Sequence, residues 1–68
     1  KKKKGYVTIM DMTVGEIIEF CGCASVYLQQ NKNDTHVIKN DDLKAIIKNA
    51  KVEQFELNYS DKTIKMIK

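Results

Sequence analysis

Two cysteines and one histidine are the residues of this 68-residue chain best suited to metal or nucleophilic chemistry. Cys21 and Cys23 are separated by a single glycine, and His36 lies further along the chain. A structural zinc site needs four ligands and usually takes its cysteines from pairs with two intervening residues. Because the chain offers only three soft ligands with a different spacing, we expect no metal and no other cofactor.

A cysteine–histidine nucleophile would need an exposed thiolate next to His36. Cys21 belongs to an apolar stripe, and both Cys21 and Cys23 align with small apolar residues of a second, similar segment, so we expect buried and inert thiols. His36 alternates with Val37 in a predicted strand, which places it on the exposed outer face. The pattern therefore does not favour covalent catalysis.

Three carboxylates could be imagined as an acid–base or metal cluster, namely Asp11, Asp41 and Asp42. They lie where predicted helices need N-caps, and capping accounts for them without any catalytic role. The sequence has no glycine-rich nucleotide loop, no serine-elbow motif and no zinc-protease motif. We therefore expect no catalytic residue and no enzymatic activity.

The net charge of +3 comes from four lysines at the start of the sequence, Lys1, Lys2, Lys3 and Lys4. The remaining eight of twelve lysines face nine carboxylates, which leaves −1 for the rest of the chain. We expect residues 1–5 to form a flexible lysine-rich tail and residues 6–68 to form one domain with a thin core. Nothing resembles a signal peptide or a membrane span, and the close cysteines suit a reducing compartment, so a cytoplasmic protein of a bacterium or a phage-infected cell is expected.

Two apolar stripes at helical spacing predict two short helices. Thr13 and Glu16 have the spacing of a capping box, and Val14, Ile17, Ile18 and Cys21 follow at i, i+3, i+4 and i+7. The second stripe comprises Leu43, Ile46, Ile47 and Ala50. Alternating segments around and after the helices predict strands at residues 6–10, 24–29, 35–39, 55–59 and 63–68.

The two halves of the chain also resemble each other. Residues 11–39 and 40–68 align without a gap at an offset of 29, with apolar residues matched at core spacing. The identical pairs are Ile17/Ile46, Ile18/Ile47, Leu28/Leu57, Ile38/Ile67 and Lys39/Lys68. The predicted fold is α+β, in the order β-α-β-β-α-β-β, with an antiparallel sheet, two short helices on one face and an internal αββ repeat. Tandem αββ units about a pseudo-two-fold axis are the alternative topology.

Binding is the remaining class of function. Phe20 departs from the first helical stripe and aligns with Asn49, so we expect an exposed phenylalanine that, with Met12 and Tyr27, contacts a protein partner or a second copy in a homodimer or larger homo-oligomer. The alternative is a nucleic-acid-binding protein that uses Lys1–Lys4 with Tyr6 and Tyr27. A small anion at a helix N-terminus near Thr13 or Asp42 is disfavoured by the local carboxylates.

The stretch from Met12 to Phe20, MTVGEIIEF, resembles the opening helix of many small proteins encoded by phages and mobile elements of low-GC Gram-positive bacteria. The Lys/Asn/Ile-rich style of the whole chain is similar to theirs. This resemblance implies a small accessory protein that acts by binding, as host-takeover factors and inhibitors of antiphage defence do, including anti-CRISPR-like proteins. It assigns no functional residue, because no family motif is matched.

Overall fold

The computed structural model describes residues 5–22 and 25–68, and it shows a β protein rather than the predicted α+β fold. The described part contains no α-helix and one short 3₁₀ turn, Val52–Gln54. The strands are β1 Val7–Ile9, β2 Ile17–Glu19, β3 Val26–Asn31, β4 Asp34–Lys39, β5 Asp42–Ile47, β6 Phe55–Asn58 and β7 Thr63–Met66. Nowhere in these two ranges is there a helix long and apolar enough to cross a membrane.

The strands form two sheets with the core between them. The four-stranded sheet has the order β1-β5-β4-β3 and the three-stranded sheet has the order β2-β7-β6. β1 runs parallel to β5, and the other neighbouring strands are antiparallel. The buried core residues come from both sheets and from the segment after β5: Val26, Val37, Ala45, Ile47, Ala50, Phe55, Ile64 and Met66.

The first predicted helix is wrong, since its residues form a turn followed by β2. The N–H of Thr13 donates to Oε1 of Glu16 at 2.7 Å, and the N–H of Glu16 donates to the carbonyl of Thr13 at 3.1 Å. Gly15 has a φ of +99°, as the third position of a type II turn requires. The chain then continues as a strand through β-branched Ile17 and Ile18, which suit a pleated sheet better than a short helix.

The same pair of hydrogen bonds recurs on the other side of β7, around the 3₁₀ turn Val52–Gln54. The N–H of Lys51 donates to Oε1 of Gln54 at 2.7 Å, and the N–H of Gln54 donates to the carbonyl of Lys51 at 2.8 Å. β6 starts at the next residue, Phe55, just as β2 starts directly after Glu16. The capping-box spacing in this protein therefore marks the turn before a strand.

The second predicted helix is also wrong, because its first residues make a hairpin turn and its apolar stripe belongs to β5, except for Ala50, which follows that strand. Asn40 and Asp41 have φ values of +52° and +68°, and Lys39 pairs with Asp42 across the turn. Positive φ at both central residues is the type I′ pattern that joins antiparallel strands, and Asn and Asp tolerate it. The capping interpretation of Asp41 and Asp42 fails for this reason.

The 29-residue offset relates strands, so the predicted αββ repeat unit is wrong and the unit is three strands. β2, β3 and β4 correspond in sequence to β5, β6 and β7, and each sheet joins the hairpin of one unit to the first strand of the other. Pairing between the units follows the same offset. His36 of β4 faces Ile46 of β5 in one sheet, and Lys65 of β7, which is 29 residues after His36, faces Ile17 of β2 in the other. The two sheets thus share the strand order β5-β4-β3 and β2-β7-β6, whereas the hairpin register differs by two residues, since Leu28 faces Val37 but Leu57 faces Ile64.

One side of the sandwich, between β3 and β6, is closed by polar contacts. The hydroxyl of Tyr59, just after β6, donates to the carbonyl of Val26 at the start of β3. The N–H of Val52 donates to Oε1 of Gln30 near the end of β3 at 2.9 Å. These contacts tie the outer strands of the two sheets together at this side.

Candidate functional site

The opposite side of the sandwich, between β1 and β2, contains a cleft of about 330 Å³. Its floor is buried and apolar, because Val26, Val37, Ala45 and Ile64 line it from β3, β4, β5 and β7. β1 and β2 belong to different sheets and do not pair with each other. We call this space the β1–β2 cleft; its volume is at the lower end of the range of about 300–1,000 Å³ usual for ligand pockets.

The mouth of the cleft combines apolar and charged side chains. Val7 is 61% exposed, and exposed Glu19 and Cys21 lie on the β2 side. Lys39 at the end of β4 and Lys44 in β5 also line the cleft. Lys44 is the extra residue of a β-bulge, because the register of β4 and β5 shifts between Val37 and Ile38. A bulge redirects side chains relative to the regular alternation.

The cleft carries a local excess of positive charge. Among residues 5–22 and 25–68 the one salt bridge is that between Lys48 and Asp34, 2.9 Å apart, on another part of the surface. Lys39 and Lys44 therefore have no carboxylate within 4.0 Å in that part of the chain, and Glu19 is the only acidic residue that lines the cleft. An apolar floor with two unpaired ammonium groups suits a ligand that is apolar at one end and anionic at the other.

β2 presents free backbone groups beside the cleft. The N–H of Phe20 donates to the carbonyl of Lys62 at 3.0 Å, and the N–H of Met66 donates to the carbonyl of Glu16 at 3.1 Å. Hydrogen-bonded pairs alternate along an antiparallel ladder, so Ile17 and Glu19 direct their N–H and C=O groups away from β7. No described strand lies on that edge, which leaves a template for strand pairing.

The structure separates the residues predicted to contact a protein partner. Phe20 follows β2, is half-buried rather than exposed on a helix, and lines the cleft. Met12 is also half-buried and packs against the core. Tyr27 lies on the outer face of the four-stranded sheet, opposite Ile38, which is 7% exposed and lies outside the core cluster. Only Phe20 of these three lines the cleft, and the binding role of the three remains a prediction.

The residues of the nucleic-acid alternative are not gathered on one face. Tyr6 is half-buried just before β1, whereas Tyr27 is exposed on the outer sheet face beside Gln29 and His36. Lys1–Lys4 lie outside the described residues.

The thiol and metal candidates also have defined positions. Cys21 is exposed, so the expectation that it is buried is wrong; Cys23 lies outside the described residues. Cys21 is exposed because the stripe that was to bury it forms a turn and a strand rather than a helix face. Across the two described ranges, no three His, Cys, Asp or Glu side chains are grouped closely enough to hold a metal ion.

Sequence reasoning missed the residues that shape the cleft, Val7, Lys39 and Lys44. The sequence does contain a signal for Lys39, because alternate residues of a strand share a face and Lys39 follows Thr35 and Val37 at that spacing along β4. For Lys44 there is none, since its direction depends on the bulge.

Asp34 has a structural role. Its carboxylate accepts from the N–H of Asn49 at 3.0 Å and from Nζ of Lys48 at 2.9 Å. The backbone N–H of Asn49, with the Lys48 side chain second, lowers the pKa of Asp34 below its ordinary value. These bonds hold the start of β4 against the turn after β5.

Comparison of the chain with protein-family models, with curated proteins and with solved structures gives no match.

Proposed function

We propose that this chain is a small, non-enzymatic protein-binding module that holds a protein partner in the β1–β2 cleft and acts by occluding that partner. The biological setting proposed with it is that of a phage or mobile-element accessory protein of the anti-defence type, working in the cytoplasm of a bacterial host. The close spacing of Cys21 and Cys23 in the sequence suits such a reducing compartment.

The observation that carries the proposal is the form of the cleft. Buried apolar side chains lie at its floor, exposed Val7 lies at its mouth, and polar groups surround it. Protein interfaces commonly combine such an apolar centre with a polar rim. Phe20 lies within this site, so one predicted contact residue coincides with it.

A pair of matched variants tests the proposal. Val7 and Val14 have nearly equal exposure, 61% and 62%, but only Val7 lines the cleft. Wild-type protein, Val7→Lys and Val14→Lys are used to capture partners from nuclease-treated host lysate, and each recovered protein is then purified and titrated against all three. We expect one partner that binds wild-type and Val14→Lys and that loses affinity for Val7→Lys.

Three outcomes would contradict the proposal. A purified partner that binds all three proteins equally would show that the cleft is not the binding site. Material that is lost on nuclease treatment would favour the nucleic-acid alternative, which should also show steep salt dependence. The absence of any partner that binds purified wild-type protein would remove the proposed function itself.

A further inference from the structure

The two sheets differ by one strand, and the difference falls at the cleft. The 29-residue offset and the strand order match β5, β4 and β3 with β2, β7 and β6. β1 lies beside β5 as the fourth strand, and no described strand occupies the corresponding place beside β2. Within residues 5–22 and 25–68, the strand position beside β2 at the mouth of the β1–β2 cleft is therefore vacant.

Building on the proposed function, we propose that this vacancy receives an extended segment of the partner, which pairs with the free edge of β2, inserts an apolar side chain into the cleft and places a carboxylate at Lys39 and Lys44. The partner class is thus an extended peptide strand with alternating apolar residues and at least one flanking Asp or Glu. Strand addition of this kind takes affinity from the main chain and specificity from alternate side chains.

Main-chain groups of β2 support the proposed strand pairing. Ile17 and Glu19 direct two N–H donors and two C=O acceptors to the free edge, which matches the spacing of one extended segment. The edge is short, only three residues, so backbone pairing alone gives little affinity. Side-chain contacts must supply the rest, and the cleft lies directly beside this edge.

The arrangement of β1 indicates which side chains would enter. Val7 and Ile9 line the cleft, and Thr8 between them does not. In a strand added beside β2, alternate residues would face the same space. A branched apolar side chain would cover Ile18 and Ile64 at the floor. The preferred segment therefore has the form apolar, polar, apolar.

Charge selects among such segments. Lys39 and Lys44 line the cleft without a carboxylate partner within 4.0 Å, and a free ammonium group beside an apolar site favours an anion. A segment flanked by lysine would meet two like charges there, against the single carboxylate of Glu19. We therefore expect discrimination by sign, which weakens as salt is added.

The experiment is an NMR titration of ¹⁵N-labelled full chain with blocked synthetic peptides. The probes are Glu-Val-Thr-Ile-Glu, its counterpart Lys-Val-Thr-Ile-Lys, and the acidic peptide with every backbone nitrogen methylated. We expect the acidic peptide to shift the amide signals of Ile17 and Glu19 in a saturable manner, the lysine peptide to bind about three- to tenfold more weakly, and the methylated peptide not to bind.

Protein variants separate the contribution of backbone pairing from that of the two lysines. Ile17→Pro removes an N–H that faces the free edge, so it should abolish peptide binding, and Ile17→Thr should preserve it. If Ile17→Pro does not fold, the methylated peptide makes the same test. Combined Lys39→Gln and Lys44→Gln should abolish the preference for the acidic peptide, whereas Lys65→Gln, an exposed lysine on β7 outside the cleft, should preserve it.

The proposal is overturned if no peptide shifts Ile17 and Glu19, if both charge types bind equally, or if the shifts concentrate on the outer face around Tyr27. It is also overturned if dodecanoate, tested separately, fills the cleft while the peptides do not, because the ligand would then be a lipid-like carboxylate. If a captured partner depends on Val7 but binds Ile17→Pro as tightly as wild type, strand addition is contradicted. The proposed protein-binding function would then still stand.

Discussion

The rings of Phe20 and Tyr59 meet edge to face, with their centroids 6.1 Å apart and their planes at 80°. Phe20 follows β2 and Tyr59 follows β6, the two outer strands of the three-stranded sheet. Tyr59 also donates its hydroxyl to the carbonyl of Val26 in the other sheet. This aromatic pair therefore connects the wall of the β1–β2 cleft with the closed side of the sandwich.

Variants of this pair should lower stability. Phe20→Ala removes a half-buried ring, and we expect a loss of about 2 kcal/mol, below the range of about 3–5 kcal/mol for a fully buried phenylalanine. Tyr59→Phe keeps the ring contact and removes the hydrogen bond to Val26, so about 1 kcal/mol is expected. Urea unfolding followed by circular dichroism measures both. A Phe20→Ala protein as stable as wild type would show that the ring contributes no packing energy.

Thr35 should be sensitive to loss of its hydroxyl. The residue is fully buried, and Oγ1 donates to the carbonyl of Ala50 at 2.8 Å. Thr35→Val leaves that carbonyl without this donor, and we expect a loss of about 1–3 kcal/mol. Thr63→Val is the matched control, since Thr63 is half-buried on β7. Equal effects of the two substitutions in urea unfolding would contradict the assigned role of the hydroxyl.

Gly15 should resist substitution for conformational reasons. A Cβ at Gly15 would meet no atom within 4 Å, but the residue has a φ of +99°. We expect Gly15→Ala to cost about 1–2 kcal/mol from backbone strain alone. Gly5→Ala, where the space is also open, should be nearly neutral. Thermal unfolding of the two variants side by side measures the difference.

Acid should weaken the contact at Asp34. Hydrogen bonds from the Asn49 N–H and from Lys48 lower the pKa of Asp34 in the folded state, so the ionised carboxylate favours folding. This stabilisation is complete above the ordinary aspartate pKa of about 4 and is lost as the pH falls from there through the lower folded value. The melting temperatures of wild type and Asp34→Asn should therefore differ at neutral pH and converge in acid.

The control for this prediction is Asp42→Asn, an exposed residue at the start of β5. Its difference from wild type should be small and should lack the convergence in acid. A constant difference between wild type and Asp34→Asn from pH 7 to pH 2 would show that ionisation of Asp34 does not contribute to folding.

Local patterns predicted the hairpins well. The alternation around Leu28 and Leu57 and the turn residues that follow predicted the strands now seen as β3, β4, β6 and β7. Such patterns are informative because turn chemistry and side-chain alternation act over a few residues. The helices failed because adjacent isoleucines fit both a helical stripe and a strand, and because Asn, Asp and the Thr13–Glu16 spacing serve turns as well as caps.

By itself, the sequence determined that this is a small chain with a thin core, with two similar halves and with hairpins at the positions where turn residues interrupt alternating segments. Tertiary structure decided that Ile17 pairs with Lys65 and that Val7 pairs with Ala45, contacts between residues far apart in the chain. These pairings depend on burial of both sheets against one another, which local propensity does not encode. They also create the open edge of β2 and bring Lys39 and Lys44 to one cleft.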